Sequence, residues 1–328
     1  MCTAVSYQAG DHYFGRNLDL EYSYHETVAI VPRRYPLHFQ KRPAMDTHYA
    51  MIGMATVVDG TPLFYEATNE KGLSMAGLNF PISARYLPPE DGAVNIAPFE
   101  FIPWILGQCA SADQAEEALK DLRLVDIPFS SSLPLTPLHW MICDRERSII
   151  VEPMADGIRI FHDPVGVLTN EPPFDHHLSR LTDYMGLTPE LPHDTFSRDL
   201  HLIPYSNGMG AMGLPGDFSS GSRYIRATFV KLNSVSADDP VSGVSQFFHI
   251  LSSVAMPRGC VRTERGHEIT RYSSCCDTDR GIYYYTTYDA HQITGIQMFR
   301  EDLDSTELSL YPIDDQPRIF MREPHKGR

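Results

Sequence analysis

The chain opens with two apolar runs of strand length, "CTAVSY" and "HYFGRNLDL", joined by "QAGDH". Gly10 admits positive φ and Asp11 supports a turn, so this spacing predicts an antiparallel hairpin. A hairpin set this early commits the chain to an antiparallel sheet. It also lays the Cys2 strand beside the Arg16 to Asp19 strand, so that thiol and charges meet at one sheet end.

The rest of the chain repeats the theme in blocks. "TVAIVP", "YAMIGMATVV" and "GLSMAGLNF" read as further strands. "SADQAEEALKDL" reads as a helix. Ser111 with Gln114 three residues on is a capping-box pattern, and Ala115, Ala118, Leu119 and Leu122 form one stripe. Strands return at "LHWMICD", "SIIVEP", "GIRIF" and "GVLTN". Two more helices follow. "SRYIRATFVKL" aligns Ile225, Phe229 and Leu232, and "VSQFFHILSSV" aligns Val244, Phe247, Phe248, Leu251 and Val254. "GIYYYTTYD" and "ITGIQMF" close the pattern as strands. Alternating strand and helix blocks without strict βαβα order predict a layered α+β fold with helices outside the sheets. With no repeat or evident linker, residues 1–328 read as one domain.

Composition narrows the function. A formal net charge of -15 argues against a nucleic-acid partner and against a polybasic membrane anchor. No apolar run reaches the roughly 20 residues that span a bilayer. The N-terminus lacks the basic and apolar regions of a secretory signal, and six scattered cysteines without C-x-x-C spacing suit a reducing, cytoplasmic compartment. Apart from Cys2, the cysteines read as small buried hydrophobes. The fourteen histidines form no metal-binding pattern, and neither a metal nor an organic cofactor is expected. "DHH" at Asp175 to His177 reads as a solvated helix face. Gly208 to Gly213 matches G-x-G-x-x-G, but Pro215 and further glycines follow where a helix should open, so it reads as a loop.

Cys2 carries the chemistry. Removal of Met1 would leave Cys2 with a thiol and an α-amine on one residue, a nucleophile with its own base. Arg16 supplies the cation that favours thiolate and cannot lose its charge. Asp19 is placed to orient the amine, and asparagine side chains suit an oxyanion.

These segments, in order, resemble the choloylglycine hydrolase family: "MCT", "FGRNLD", "NEKGLSMAGLNFP", "LHWMICD", "GVLTNEPPFD", "LPGDFSSGSRYIRA" and "YYYTTY". The resemblance covers most of the chain. It implies an N-terminal nucleophile hydrolase with a four-layer αββα sandwich, acting on linear amides through a thioester. By resemblance Cys2 is the nucleophile, Arg16 supports its thiolate and Asp19 contacts the α-amine. Asn79 and Asn170 serve the oxyanion, and Arg223 belongs to the surrounding polar network. The substrate expected is a bile acid conjugated to glycine or taurine. Asparagine at position 79 favours bile salts over penicillin V, while Ser206-Asn207-Gly208 leaves the amino-acid preference open. Leu18, Val58, Leu133 and Leu138 align with the apolar lining of the family's sterol pocket. A homotetramer is implied too. Penicillin V acylase or another N-acyl amidase, one acting on acyl-homoserine lactones included, is the competing enzyme reading. A steroid- or lipid-binding protein on the same scaffold is the non-enzymatic one.

Overall fold

The computed structural model describes residues 1–322; residues 323–328, the end of the expected domain, lie outside it. The opening hairpin forms as expected. Strands Cys2–Ala9 and Asp11–Leu20 pair antiparallel, with Ala9 opposite Asp11, Ala4 opposite Arg16 and Cys2 opposite Leu18. Gly10 turns the chain at a φ of +69°. Direct pairing puts opposed side chains on the same sheet face. Cys2, Arg16 and Leu18 therefore share one face, while Thr3, Asn17 and Asp19 share the other.

Two antiparallel sheets stack face to face. The first has six strands, in spatial order Val167–Leu168, Cys2–Ala9, Asp11–Leu20, Ile269–Asp277, Ile282–Thr287 and Thr294–Gln297. The second has eight: Gly157–Asp163, Ser148–Met154, Leu138–Cys143, Ser74–Asn79, Thr61–Asn69, Met51–Val58, Thr27–Val31 and Ser309–Pro312. Helices Ser220–Asn233 and Pro240–Ser252 pack on the first sheet, and Phe101–Gln108 and Ala112–Ala118 on the second. This is the four-layer αββα sandwich. Its central core joins Cys2, Ala4, Phe14 and Leu18 of one sheet to Met54, Ala76, Leu78 and Met141 of the other.

The Asp11–Leu20 strand lies in the middle of its sheet and is buried at all eight inner positions. Such a strand has no solvent face, so its polar residues must find partners inside. Gly15 marks its closest approach to the next strand: a Cβ there would lie 1.9 Å from the Ser274 carbonyl oxygen.

Several elements differ from the sequence reading. The helix after Ser111 ends at Ala118, and Leu122 sits instead on a short strand, Leu122–Leu124. Ser111 accepts from the Gln114 N–H at 3.3 Å, but Gln114 reaches back to the Ala110 N–H rather than to Ser111, so the capping box is only half made. In helix Ser220–Asn233, Leu232 is exposed, and the buried stripe runs through Arg223, Tyr224, Ile225, Ala227 and Thr228. Cys260 is exposed, while Cys109, Cys143, Cys275 and Cys276 are buried. Gly208 to Gly213 forms a 3-10 turn at Met209–Ala211 rather than a helix start, as its glycines and Pro215 require.

Gly15→Ala should lower unfolding stability by roughly 3 kcal/mol, because the clash is with backbone that cannot step aside. Urea denaturation followed by circular dichroism measures it; an unchanged midpoint contradicts the packing described here.

Candidate active site

The first strand ends where its outer neighbour gives out. Val167–Leu168 pairs only with Val5 and Ala4, so the backbone of Cys2 and Thr3 has no strand beyond it. Side chains take the missing places. The Cys2 N–H donates to Asn170 Oδ1 at 2.8 Å. Arg223 Nη1 donates to the Cys2 carbonyl oxygen and, at 2.7 Å, to Thr3 Oγ1. Arg223 Nη2 donates to Asn170 Oδ1 at 2.7 Å, tying the two substitutes together.

Arg16 lies beneath the thiol face. Its guanidinium leaves the first sheet and bonds the second: Nη1 donates to the carbonyl oxygens of Tyr65 at 3.0 Å and Gly77 at 2.6 Å. Tyr65 is free to accept because the ladder slips there, with Met54 opposite Glu66 and Ala55 opposite Phe64. A bulge of this kind turns a carbonyl out of the ladder. Arg16 is fully buried, and its Nε and Nη2 have no hydrogen-bond partner among the described residues. Burial works to lower its pKa, but the Cys2 thiol, Tyr272 and Glu66 around it carry it above the ordinary arginine value.

Asp19 sits on the opposite face of the same strand from Arg16. Thr270 Oγ1 donates to its Oδ1 at 2.6 Å, while Oδ2 is buried without a hydrogen bond and 3.9 Å from Arg223 Nη1. Burial lowers the pKa of Arg223, against the pull of Asp19 and Cys2. The Met1 amine donates to the Asp19 carbonyl oxygen at 2.8 Å and pairs with Glu268, and burial lowers its pKa.

Asn79 ends the Ser74–Asn79 strand with its side chain exposed, and Asn170 Nδ2 donates to its carbonyl oxygen at 2.8 Å. That leaves the second amide hydrogen of Asn170 uncommitted. Cys2, Arg16, Asp19, Asn79, Asn170 and Arg223 thus gather at one end of the first two strands. The apolar candidates do not all join them. Leu18 shares the buried cluster of Cys2. Leu138 packs on the outer side of the second sheet, with Trp140 and Ile142. Val58 and Leu133 are half-buried and lie outside the Cys2 cluster.

The "DHH" expectation is corrected at one position. Asp175 and His176 are exposed, but His177 is fully buried at the end of one helical turn. Its Nε2–H donates to the Asn170 carbonyl oxygen at 2.8 Å, and its ring stacks on Tyr224 at 4.9 Å. The Asn170 N–H donates to Ser220 Oγ at 2.8 Å. Thr270, His177 and Ser220 therefore hold the candidate groups from behind, and no spacing in the sequence marks them.

Comparisons with known proteins place the chain in a family. The profile of "Linear amide C-N hydrolases, choloylglycine hydrolase family" matches residues 2–311. The chain belongs to the choloylglycine hydrolase family. The "Bile salt hydrolase/transferase" of Lactiplantibacillus plantarum is 50% identical over 321 residues, covering 98% of this chain and 99% of its own. The protein of the same name from Clostridium perfringens is 40% identical, covering 95% of this chain and 96% of its own. Among solved structures, a variant of the conjugated bile acid hydrolase from Clostridium perfringens superposes with a TM-score of 0.90 at 38% identity, covering 99% and 100% of the two chains. Penicillin V acylase from Agrobacterium tumefaciens shares the fold at a TM-score of 0.76 and 19% identity, covering 97% and 94%. Membership makes this chain a hydrolase of linear amide C–N bonds, built as an N-terminal nucleophile hydrolase. No helix among the described residues is long and apolar enough to cross a membrane.

Burial holds the folded-state pKa of His177 down to about 4, against an ordinary 6.5. Between those values the unfolded chain binds more protons than the folded one. Stability from this histidine is therefore complete above about pH 6.5 and falls as pH drops towards 4, by up to about 1.4 kcal/mol per unit. His177→Phe keeps a ring against Tyr224 and removes the titration. Denaturant unfolding across this range should show a shallower slope in the variant; equal slopes contradict the assignment.

Proposed function

We propose that this protein is a bile salt hydrolase that cleaves the amide between a bile acid and glycine or taurine. The observation that carries the reading is the surround of Cys2: a cation on its thiol face and the Asn170 side-chain oxygen at its nitrogen, in a family of linear amide hydrolases. Removal of Met1 places the α-amine at the Cys2 nitrogen, beside Asn170 Oδ1. Asp19 Oδ2, without a hydrogen bond among the described residues and 3.9 Å from Arg223 Nη1, is a free acceptor in the same network.

The steps follow from these positions. In this reading Cys2 reacts through its thiolate beside the Arg16 cation. The sulfur attacks the amide carbonyl, and the oxyanion is met by the Asn79 side chain and the second amide hydrogen of Asn170. Each such donor lowers the barrier by roughly 3 kcal/mol. The C–N bond breaks as the protonated α-amine gives its proton to the departing amino group, leaving a thioester. The α-amine, now neutral, takes a proton from water; the hydroxide adds to the thioester, and the bile acid leaves as sulfur departs. Asp19 orients the amine, and Arg223 holds the Cys2 carbonyl and Asn170 in register. No metal or organic cofactor enters these steps. Leu18, which packs in the Cys2 cluster, is the apolar candidate that the geometry supports on the acyl side; Val58, Leu133 and Leu138 rest on the family resemblance alone.

The wider reading is of one catalytic domain over residues 1–328, cytoplasmic and homotetrameric. Exposed apolar side chains between Met185 and Met212, among them Phe196, Ile203 and Tyr205, support self-association.

Cys2→Ala should abolish release of glycine or taurine and leave the circular dichroism spectrum intact; retained turnover refutes the assignment. Active preparations should have an intact mass lacking one methionine. Rates on taurocholate, glycocholate and penicillin V, measured side by side, should favour the bile salts. The reverse order would make the protein a penicillin acylase, and bile-acid binding without product would make it a binder.

A further inference from the structure

The mechanism leaves the buried carboxylate of Glu66 unused. Glu66 lies on the Thr61–Asn69 strand, next to the bulge at Tyr65, and points into the space between the sheets. It is 1% exposed. Tyr272 donates its hydroxyl to Glu66 Oε2 at 2.7 Å, and Tyr283 donates to Oε1 at 2.5 Å. Arg16 Nε stands 3.8 Å from Oε2. Each oxygen thus receives a phenol, and a cation lies beside one of them. A set of donors like this cradles a carboxylate, because a protonated carboxyl would need an acceptor for its own hydrogen. Burial raises the pKa of Glu66, and the net direction stays upward although Arg16, the two phenols and Ser274 oppose it.

The guanidinium of Arg16 therefore faces two partners of one sign. The Cys2 thiol belongs to its own sheet and Glu66 to the facing one. A cation shared between two anions stabilises each less than it would stabilise one alone. We propose that Glu66 is a positioning residue for the reaction: it fixes Arg16 from the facing sheet and, by sharing its charge, sets how acidic the Cys2 thiol is. This deepens the hydrolase reading and rests on Cys2 as the nucleophile.

The other groups in reach are few. Glu66 faces Arg16 from the Asp11–Leu20 strand, Tyr272, Ser274 and Cys276 from Ile269–Asp277, and Tyr283 from Ile282–Thr287. The charged groups around Cys2 are Arg16, Asp19, Arg223 and the N-terminal amine. Glu66 is the anion that Arg16 meets from the facing sheet.

The test is the pH dependence of iodoacetamide alkylation, read by peptide mass on Cys2 itself. The exposed Cys260 in the same sample is the internal control. Glu66→Gln removes the competing charge at nearly constant shape. The Cys2 profile should then move about one pH unit to the acid side, while that of Cys260 stays in place. A Cys2 profile that does not move, or moves to higher pH, overturns the inference. Should Glu66→Gln fail to fold, Tyr283→Phe serves: it takes one donor from the carboxylate, favours its protonated form and should move the Cys2 profile the same way. No movement there is equally fatal. The wild-type hydrolysis assay separates the two readings. Absent amide hydrolysis sinks the proposed function, whereas hydrolysis with unshifted variant profiles sinks only the role of Glu66.

Discussion

Everything at this site depends on a buried cation. Arg16 is fully enclosed between two sheets, where an unpaired charge is costly. Its carbonyl bonds to Tyr65 and Gly77 satisfy one nitrogen and fasten the first sheet to the second. The bulge that frees the Tyr65 carbonyl and the glycine at position 77 are thus part of the site, though neither touches Cys2. The rest of the guanidinium is left to the thiol and to Glu66. A charge held this way cannot swing towards solvent, so the electrostatic environment of Cys2 is built in.

The second device is the truncated edge. Where the Val167–Leu168 strand stops, ordinary pairing would have hidden the Cys2 backbone under another strand. Asn170 and Arg223 instead bond that backbone with side chains, which satisfies its polar groups while keeping the strand end free of a covering strand. His177 and Ser220 grip the backbone of Asn170, so its amide is aimed by bonds at both ends of the peptide unit. The parity of the Asp11–Leu20 strand then divides the labour. Arg16 lies on the thiol face, and Asp19 on the opposite one.

Much of this was legible beforehand, for physical reasons. The hairpin could be read because Gly10 and Asp11 sit between two clean strand patterns, and its register brought Arg16 to the Cys2 end. The outer helices of the first sheet could be read from their periodicity. Other elements had no such signal. "FIPWILGQ" is apolar all round, and periodicity cannot separate a buried helix from a buried strand. The Ile269–Asp277 strand carries arginine, serines and two cysteines, yet it supplies Thr270 and Tyr272 to the site. The apolar spacing of Ile225, Phe229 and Leu232 points to a buried stripe, but Leu232 is exposed because the helix turns Arg223 and Thr228 inward instead. His177 gives no signal because its neighbours are polar and only the fold shows which of the three points inward. Residues that support a site from behind answer to tertiary distance, and one sequence does not display that.

The pairings around Cys2 are among the longest-range in the chain. Cys2 is joined to Asn170 across 168 positions and to Arg223 across 221, and Asp19 to Thr270 across 251. Contacts so distant in sequence close late, after the loops between them have been ordered. The thiol emerges first during synthesis, but its cation, its acceptors and the strand that steadies Asp19 arrive only when most of the chain has followed. Reactivity is thereby coupled to completed folding. The site exists only once the first hairpin has met segments as far along the chain as Thr270.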